Sequence, residues 1–199
     1  MTVIGITGGT GSGKTTALRV IHELGGLILD CDEIYHSLLL NSDEMKTELN
    51  ERFPGVITGG VLDRKALGRQ VFSDDKALED LNAITHRYVK DEVKLLLKQH
   101  ASDGGMLAAI DAIALFESGL SELCDFTVAI NAPTEARARR IMARENIDYD
   151  YAMLRINAQK SNEYFSEKCT YTLFNDFESK SEFDKLCREF FTQKVSETI

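Results

Sequence analysis

Residues 8–15, Gly8-Gly9-Thr10-Gly11-Ser12-Gly13-Lys14-Thr15, form a complete G-x-x-x-x-G-K-[ST] string, and no other feature restricts the fold as strongly. An apolar, partly β-branched run at 2–6 precedes it. Behind it, residues 16–24 carry Leu18, Ile21 and Leu24 at helical spacing, and Gly25-Gly26 ends the segment. Glycines let successive N–H groups turn inward onto phosphate oxygens, and a helix starting behind them adds the positive end of its dipole. In such a loop Lys14 reaches the β- and γ-phosphates, and the Thr15 hydroxyl suits a Mg²⁺ ligand. The plainer reading is a flexible turn with a solvated lysine. At an average glycine usage of about 7%, a chance match in a chain this long arises on the order of once in a hundred. The flanking strand and helix favour phosphate binding.

Leu27-Ile28-Leu29 reads as a second buried strand, so the first 30 residues spell strand–loop–helix–strand, the βαβ unit of a parallel sheet. The pattern then turns helical over 33–40, 43–52, 64–72 and 75–99. Turns fall at Asn41-Ser42, Pro54-Gly55 and Gly59-Gly60, with Asp63 and Asp74 as N-caps. About 70 mostly helical residues are too many for a simple crossover and predict an inserted lobe. Strands resume at 106–110, ending in Asp111, and at 126–130. Pro133-Thr134 opens a helix over 135–145, Asp148 caps another over 149–160, and 171–174 is the last strand. A terminal amphipathic helix carries Phe183, Leu186, Cys187 and Phe190 on one face. The expected fold is α/β: a P-loop NTPase-like parallel sheet flanked by helices, formed by 1–31 and 102–199. A helical acceptor-binding lobe at 32–101 is inserted in it, and a helical lid spans about 137–162.

The 199 residues include 23 basic and 32 acidic side chains, a formal charge of −9, which disfavours a broad surface for duplex nucleic acid. Cys31, Cys124, Cys169 and Cys187 are widely spaced, with no C-x-x-C for a zinc site and no disulfide framework. No apolar run reaches the ~20 residues of a membrane span, and the N-terminus lacks a signal-like pattern. The expectation is a cytoplasmic protein without membrane or nucleic-acid partners, its oligomeric state open with a monomer favoured. The string Asn-Lys-x-Asp and a D-x-x-G switch are both absent, which removes guanine-nucleotide switches. A compact kinase for a small metabolite remains, with ATP as donor.

Several strings, in order, carry a closer likeness: Gly5-Ile-Thr-Gly-Gly-Thr-Gly-Ser-Gly-Lys-Thr15, Asp30-Cys31-Asp32, Asn82-Ala-Ile-Thr-His86 and Asp111-Ala-Ile-Ala-Leu-Phe-Glu117. Arg137-Ala-Arg-Arg140-Ile-Met-Ala-Arg144, Ala158-Gln159 and Phe174-Asn175 follow. Over essentially the whole chain the sequence resembles the dephospho-CoA kinase family. The resemblance implies ATP- and Mg²⁺-dependent phosphorylation of the 3′-hydroxyl of dephospho-CoA, the last step of coenzyme A synthesis. Two rival readings are a kinase for a nucleoside or nucleotide acceptor, and a non-enzymatic nucleotide-binding regulator.

Phosphoryl transfer to an alcohol needs a carboxylate to take the proton, and the resemblance implies Asp32 for that role. Its position just before Glu33-Ile34-Tyr35 equally suits a helix N-cap, while Asp30 supports either the loop or the metal's water shell. Gly9, Thr10, Gly11, Ser12, Gly13, Lys14, Thr15 and Thr16 are the donor-binding loop, with Thr15 on the metal. Arg137, Arg140 and Arg144 share a helical face at i, i+3, i+7. Arg140 is expected on the transferring phosphoryl group and Arg144 beside the nucleotide; the alternative is a solvated face paired with Glu135, Glu145 and Asp148. Asp111 ends a strand and has a metal, acceptor or turn-capping role. Thr7 is placed near the acceptor or the transferred phosphate. Through the resemblance, Tyr35, His86, Leu115 and Glu117 are acceptor-pocket candidates and Asn175 adjoins the adenine. Lys14, the loop amides, Mg²⁺ and the arginines would concentrate positive potential locally in an otherwise acidic chain.

Overall fold

The computed structural model describes residues 1–72, 74–177 and 179–198. They divide into two compact units, Met1–Leu29 with His100–Ile199, and Asp30–Gln99.

In the first unit, β1 (Thr2–Thr7), β2 (Leu27–Asp30), β5 (Leu107–Asp111), β6 (Phe126–Asn131) and β7 (Tyr171–Phe174) form a parallel sheet in the order β2-β5-β1-β6-β7. β1 lies at its centre, pairing Val3 with Ala108 of β5 and Ile6 with Val128 of β6. A central strand covered on both faces cannot alternate polar and apolar residues, and every residue of β1 and β6 is buried. One face is covered by α1 (Lys14–Glu23) and α9 (Lys180–Thr198), through Ala17, Val20 and Ile21 of α1 and Phe183, Cys187 and Phe191 of α9. Between β6 and β7 run α6 (Thr134–Glu145), α7 (Tyr149–Asn157) and α8 (Asn162–Lys168). Ala138 and Ile141 of α6 pack on Ala152 and Ile156 of α7.

The second unit has its own core. Its elements are α2 (Cys31–Asn41), α3 (Asp43–Arg52), β3 (Ile57–Thr58), β4 (Val61–Leu62), α4 (Arg64–Val71) and most of α5 (Asp75–Ser102). Leu39, Met45, Leu49, Phe53, Leu67 and Val71 are among the side chains it buries together. Short polar side chains set the helix starts. Asp63 Oδ1 accepts from the amides of Lys65 and Ala66 at 2.9 and 3.0 Å, and Asp74 Oδ1 from those of Lys76 and Ala77 at 2.9 and 3.2 Å.

One expectation is corrected, and one expected turn proves to join two short strands. The helix expected over 149–160 stops at Asn157, and a separate α8 begins where Ser161 Oγ accepts from the Tyr164 amide at 3.2 Å. Pro-free polar stretches conceal such a break, because a serine cap resembles any other helical serine in sequence. The Gly59-Gly60 turn closes a hairpin, β3–β4, whose two-residue strands are too short to show a period of two. Among the described residues no helix is long and apolar enough to cross a membrane.

Cys31, Cys124, Cys169 and Cys187 are present as thiols, not disulfides. Burial pushes the thiols of Cys124 and Cys187 up to about 12 and that of Cys169 up to about 11. At pH 8 these thiols stay protonated, so labelling with a thiol reagent should be slow until denaturant is added; rapid native-state labelling of Cys187 would contradict its burial. Phe53 is fully buried in the second core, so Phe53→Ala should cost about 3–5 kcal/mol in urea unfolding.

Candidate active site

The loop between β1 and α1 takes its shape from glycine. Gly13, the N-cap of α1, has φ 111°, and no side chain caps that helix start. The helix's N-terminal donors and dipole are thereby left for an anion. A Cβ built on Gly9 would overlap the guanidinium of Arg137, which lies directly against the loop there. Lys14 Nζ donates to Gly8 O at 3.1 Å, folding the lysine back over the loop. Ser12 Oγ is buried with no hydrogen-bond partner. An orphaned hydroxyl inside a glycine loop fits a phosphate oxygen. Thr15 is exposed at the first turn of α1, where its hydroxyl suits a metal ligand.

A loop that turns amides inward must turn carbonyls outward, and each needs a donor. Arg137 is 3% exposed and donates from Nε to Thr10 O at 2.9 Å. Its Nη2 donates to Gln159 Oε1 at 3.0 Å. Gln159 grips the same loop residue twice, accepting from Thr10 N and donating from Nε2 to Thr10 Oγ1, both at 2.8 Å. Arg140 Nη1 donates to Gly11 O at 3.2 Å and Ser12 O at 3.4 Å. Asn175 is buried and donates from Nδ2 to Ser12 O at 2.8 Å. Arg140 Nη2 in turn reaches Asn175 Oδ1 at 3.2 Å and Phe177 O at 3.3 Å.

The three arginines expected on one face therefore have different environments. Arg137 is buried beneath the loop and Arg140 is half-buried beside it. Arg144 is exposed and paired with Glu145 at 2.7 Å. Burial holds the Arg137 and Arg140 guanidinium groups below their ordinary range, with Arg139 adding repulsion at Arg140. Thr10 has its amide, carbonyl and hydroxyl all committed to Arg137 and Gln159, so it anchors the loop instead of offering those groups to phosphate. A cavity of about 440 Å³ beside Arg140 is lined by Ala136, Arg139, Arg140, Ala143, Asp176 and Phe177. Its guanidinium planes and the Phe177 ring suit a flat heterocycle.

At the carboxyl end of β1, Thr7 is buried and its Oγ1 donates to Ile113 O at 3.3 Å. Asp111 ends the neighbouring β5 and is half-buried. Glu117 is exposed and accepts from Tyr164 Oη at 2.8 Å. Leu115, expected at the acceptor, is fully buried, and a Cβ on Gly5 would meet its Cδ2 at 2.9 Å. Its side chain faces β1 and is sealed from solvent.

In the second unit, Asp30 resolves the ambiguity between the paired aspartates. Its Oδ1 accepts from the amides of Asp32 and Glu33 at 2.9 and 3.1 Å, making Asp30 the N-cap of α2. Asp32 is exposed in the first helical turn, and its carboxylate makes no hydrogen bond or ion pair among the described residues. Tyr35 packs against the second core, and burial pushes its phenol up despite the nearby Arg64. His86 is half-buried on α5.

Sequence reasoning missed Arg137 and Gln159 as loop-binding residues. Arg137 lies one helical turn after Pro133, where a side chain faces back toward the sheet. That signal was available, but helical spacing alone could not separate it from Arg140.

A family model described as dephospho-CoA kinase matches residues 2–181. A dephospho-CoA kinase of Deinococcus radiodurans is 37% identical over 172 residues, covering 86% of this chain and 83% of its own. A crystal structure from Thermus thermophilus aligns over 100% of this chain and 98% of its own, with a TM-score of 0.77 and 32% identity. A dephospho-CoA kinase from Campylobacter jejuni aligns over 99% and 98%, with a TM-score of 0.70; at 22% identity it speaks to fold alone. With the family model spanning most of its length and a phosphate loop built as above, the chain belongs to the dephospho-CoA kinase family.

Proposed function

We infer that this chain carries out the reaction of its family, ATP-dependent phosphorylation of the 3′-hydroxyl of dephospho-CoA, the final step of coenzyme A synthesis. The observation that carries the reading is the glycine loop opening onto the uncapped start of α1, in a chain that matches the family model from residue 2 to 181.

The donor's phosphates lie against Gly9 and the stretch from Gly11 to Thr16, with Thr10 as the loop's anchor and Lys14 released from Gly8 O to the β- and γ-phosphates. Its base occupies the cavity beside Arg140 and Asn175. Arg140 already serves loop carbonyls, so it acts on the donor through the loop and the base. Lys14 and the loop amides carry most of the charge stabilisation at the transferring group. Arg144, held only by an exposed ion pair, can swing to the polyphosphate. Mg²⁺, held by the Thr15 hydroxyl, would neutralise phosphate charge when bound with the nucleotide.

The acceptor's hydroxyl oxygen attacks the γ-phosphorus, the bond from that phosphorus to the β–γ bridging oxygen breaks, and ADP leaves. The hydroxyl proton passes to the carboxylate of Asp32, which Asp30 leaves uncommitted by capping α2 in its place. Thr7, Tyr35, His86, Asp111 and Glu117 are the polar candidates for holding the acceptor.

The experiment is an ADP-release assay with dephospho-CoA beside a panel of nucleosides and nucleoside monophosphates. Turnover is expected with dephospho-CoA; turnover only with another acceptor would replace the substrate. Asp32→Asn should lower kcat by about 10²–10⁴-fold with ATP binding intact, and near-normal kcat in that variant would remove Asp32 as the base. Thr15→Val should raise the Mg²⁺ concentration needed for half-maximal rate, while an unchanged requirement would place the metal's protein contact elsewhere.

A further inference from the structure

Thr10, at the tip of the phosphate loop, has every polar group it owns engaged by two side chains from outside the loop. Its carbonyl accepts from Arg137, its amide donates to Gln159, and its hydroxyl accepts from Gln159. The two partners are themselves joined, Arg137 Nη2 to Gln159 Oε1 at 3.0 Å. Gln159 lies two residues beyond the end of α7, and Arg137 lies in the first turns of α6. These bonds fix the peptide planes on both sides of Thr10, and with them the direction in which the following loop amides point.

Arg137 brings a second observation. It is 3% exposed and makes no ion pair among the described residues. A buried cation without a counter-charge is costly, and a nearby anion relieves that cost. The guanidinium lies against Gly9, at the start of the loop.

We propose that Gln159 and Arg137 are a positioning pair for the donor nucleotide, locking Thr10 so that the loop amides converge on the phosphates whose charge Arg137 answers from beneath. The pair acts through the loop and does not touch the acceptor. An amide side chain suits the Gln159 position because it must accept from two N–H groups and donate to a hydroxyl at once.

The test is titration of the full-length chain with ADP, with steady-state kinetics in both substrates, for Gln159→Leu, Arg137→Met and the double variant. ADP Kd and ATP KM should each rise about tenfold or more, with dephospho-CoA KM held within about twofold. The double variant should lose little beyond the worse single one, since either change already frees Thr10. Arg137→Lys, which keeps the charge and a donor, should recover part of the loss seen with Arg137→Met. A folded Gln159→Leu with wild-type ADP affinity overturns the proposal, as does an equal rise in both KM values. If these variants do not fold, Thr10→Val reads the same contact from the loop side. A several-fold weaker ADP affinity that Thr10→Ser does not share supports the pair, and equal affinities reject it. The proposal rests on the kinase reading for its acceptor measurement only. A wild-type chain that binds ADP but leaves dephospho-CoA untouched would sink the reaction, while the ADP titrations would still decide the positioning role.

Discussion

The outward carbonyls of the phosphate loop are the constraint around which the first unit is organised. The course of the loop leaves the carbonyls of Thr10, Gly11 and Ser12 pointing into protein, where an unpaired acceptor is costly. Arg137, Arg140 and Asn175 supply the donors, from α6 and from the segment after β7. A P-loop of this kind is therefore a tertiary object. Its sequence permits the conformation, but side chains more than 120 residues away hold it.

This arrangement also explains how a chain with a formal charge of −9 can handle polyanions. Arg137 and Arg140 are placed under and beside the loop, and burial shields them from the acidic surface and weakens their hydration. A few cations in a low-dielectric setting act more strongly on a bound phosphate than many solvated ones. Arg155, tied to Glu145 on the outside, contributes to the surface instead.

Much of the fold was legible because its signals are local. The apolar run of β1, the glycine string, the stripe of α1 and the Asp63, Asp74 and Asp148 caps each reveal themselves within a few residues. The break between α7 and α8 and the β3–β4 hairpin were not legible: one hinges on a serine cap, the other on strands of two residues. Within the site, Lys14 and Thr15 were readable from spacing. The burial of Leu115 was not, because a leucine in a family-like string carries no mark of whether it faces a pocket or Gly5. The two aspartates at 30 and 32 were separated only by which carboxylate meets the amides of α2.

The sequence by itself determined that this chain binds a nucleotide phosphate on a parallel α/β sheet, because a glycine-rich loop between strand and helix has few other physical solutions. It also carried, string by string, the likeness to the dephospho-CoA kinase family. Tertiary structure alone decided which arginine is buried, which aspartate is spent as a cap, and which distant amide grips Thr10. Those choices depend on where side chains far apart in sequence meet, and helical spacing or local composition contains no such information.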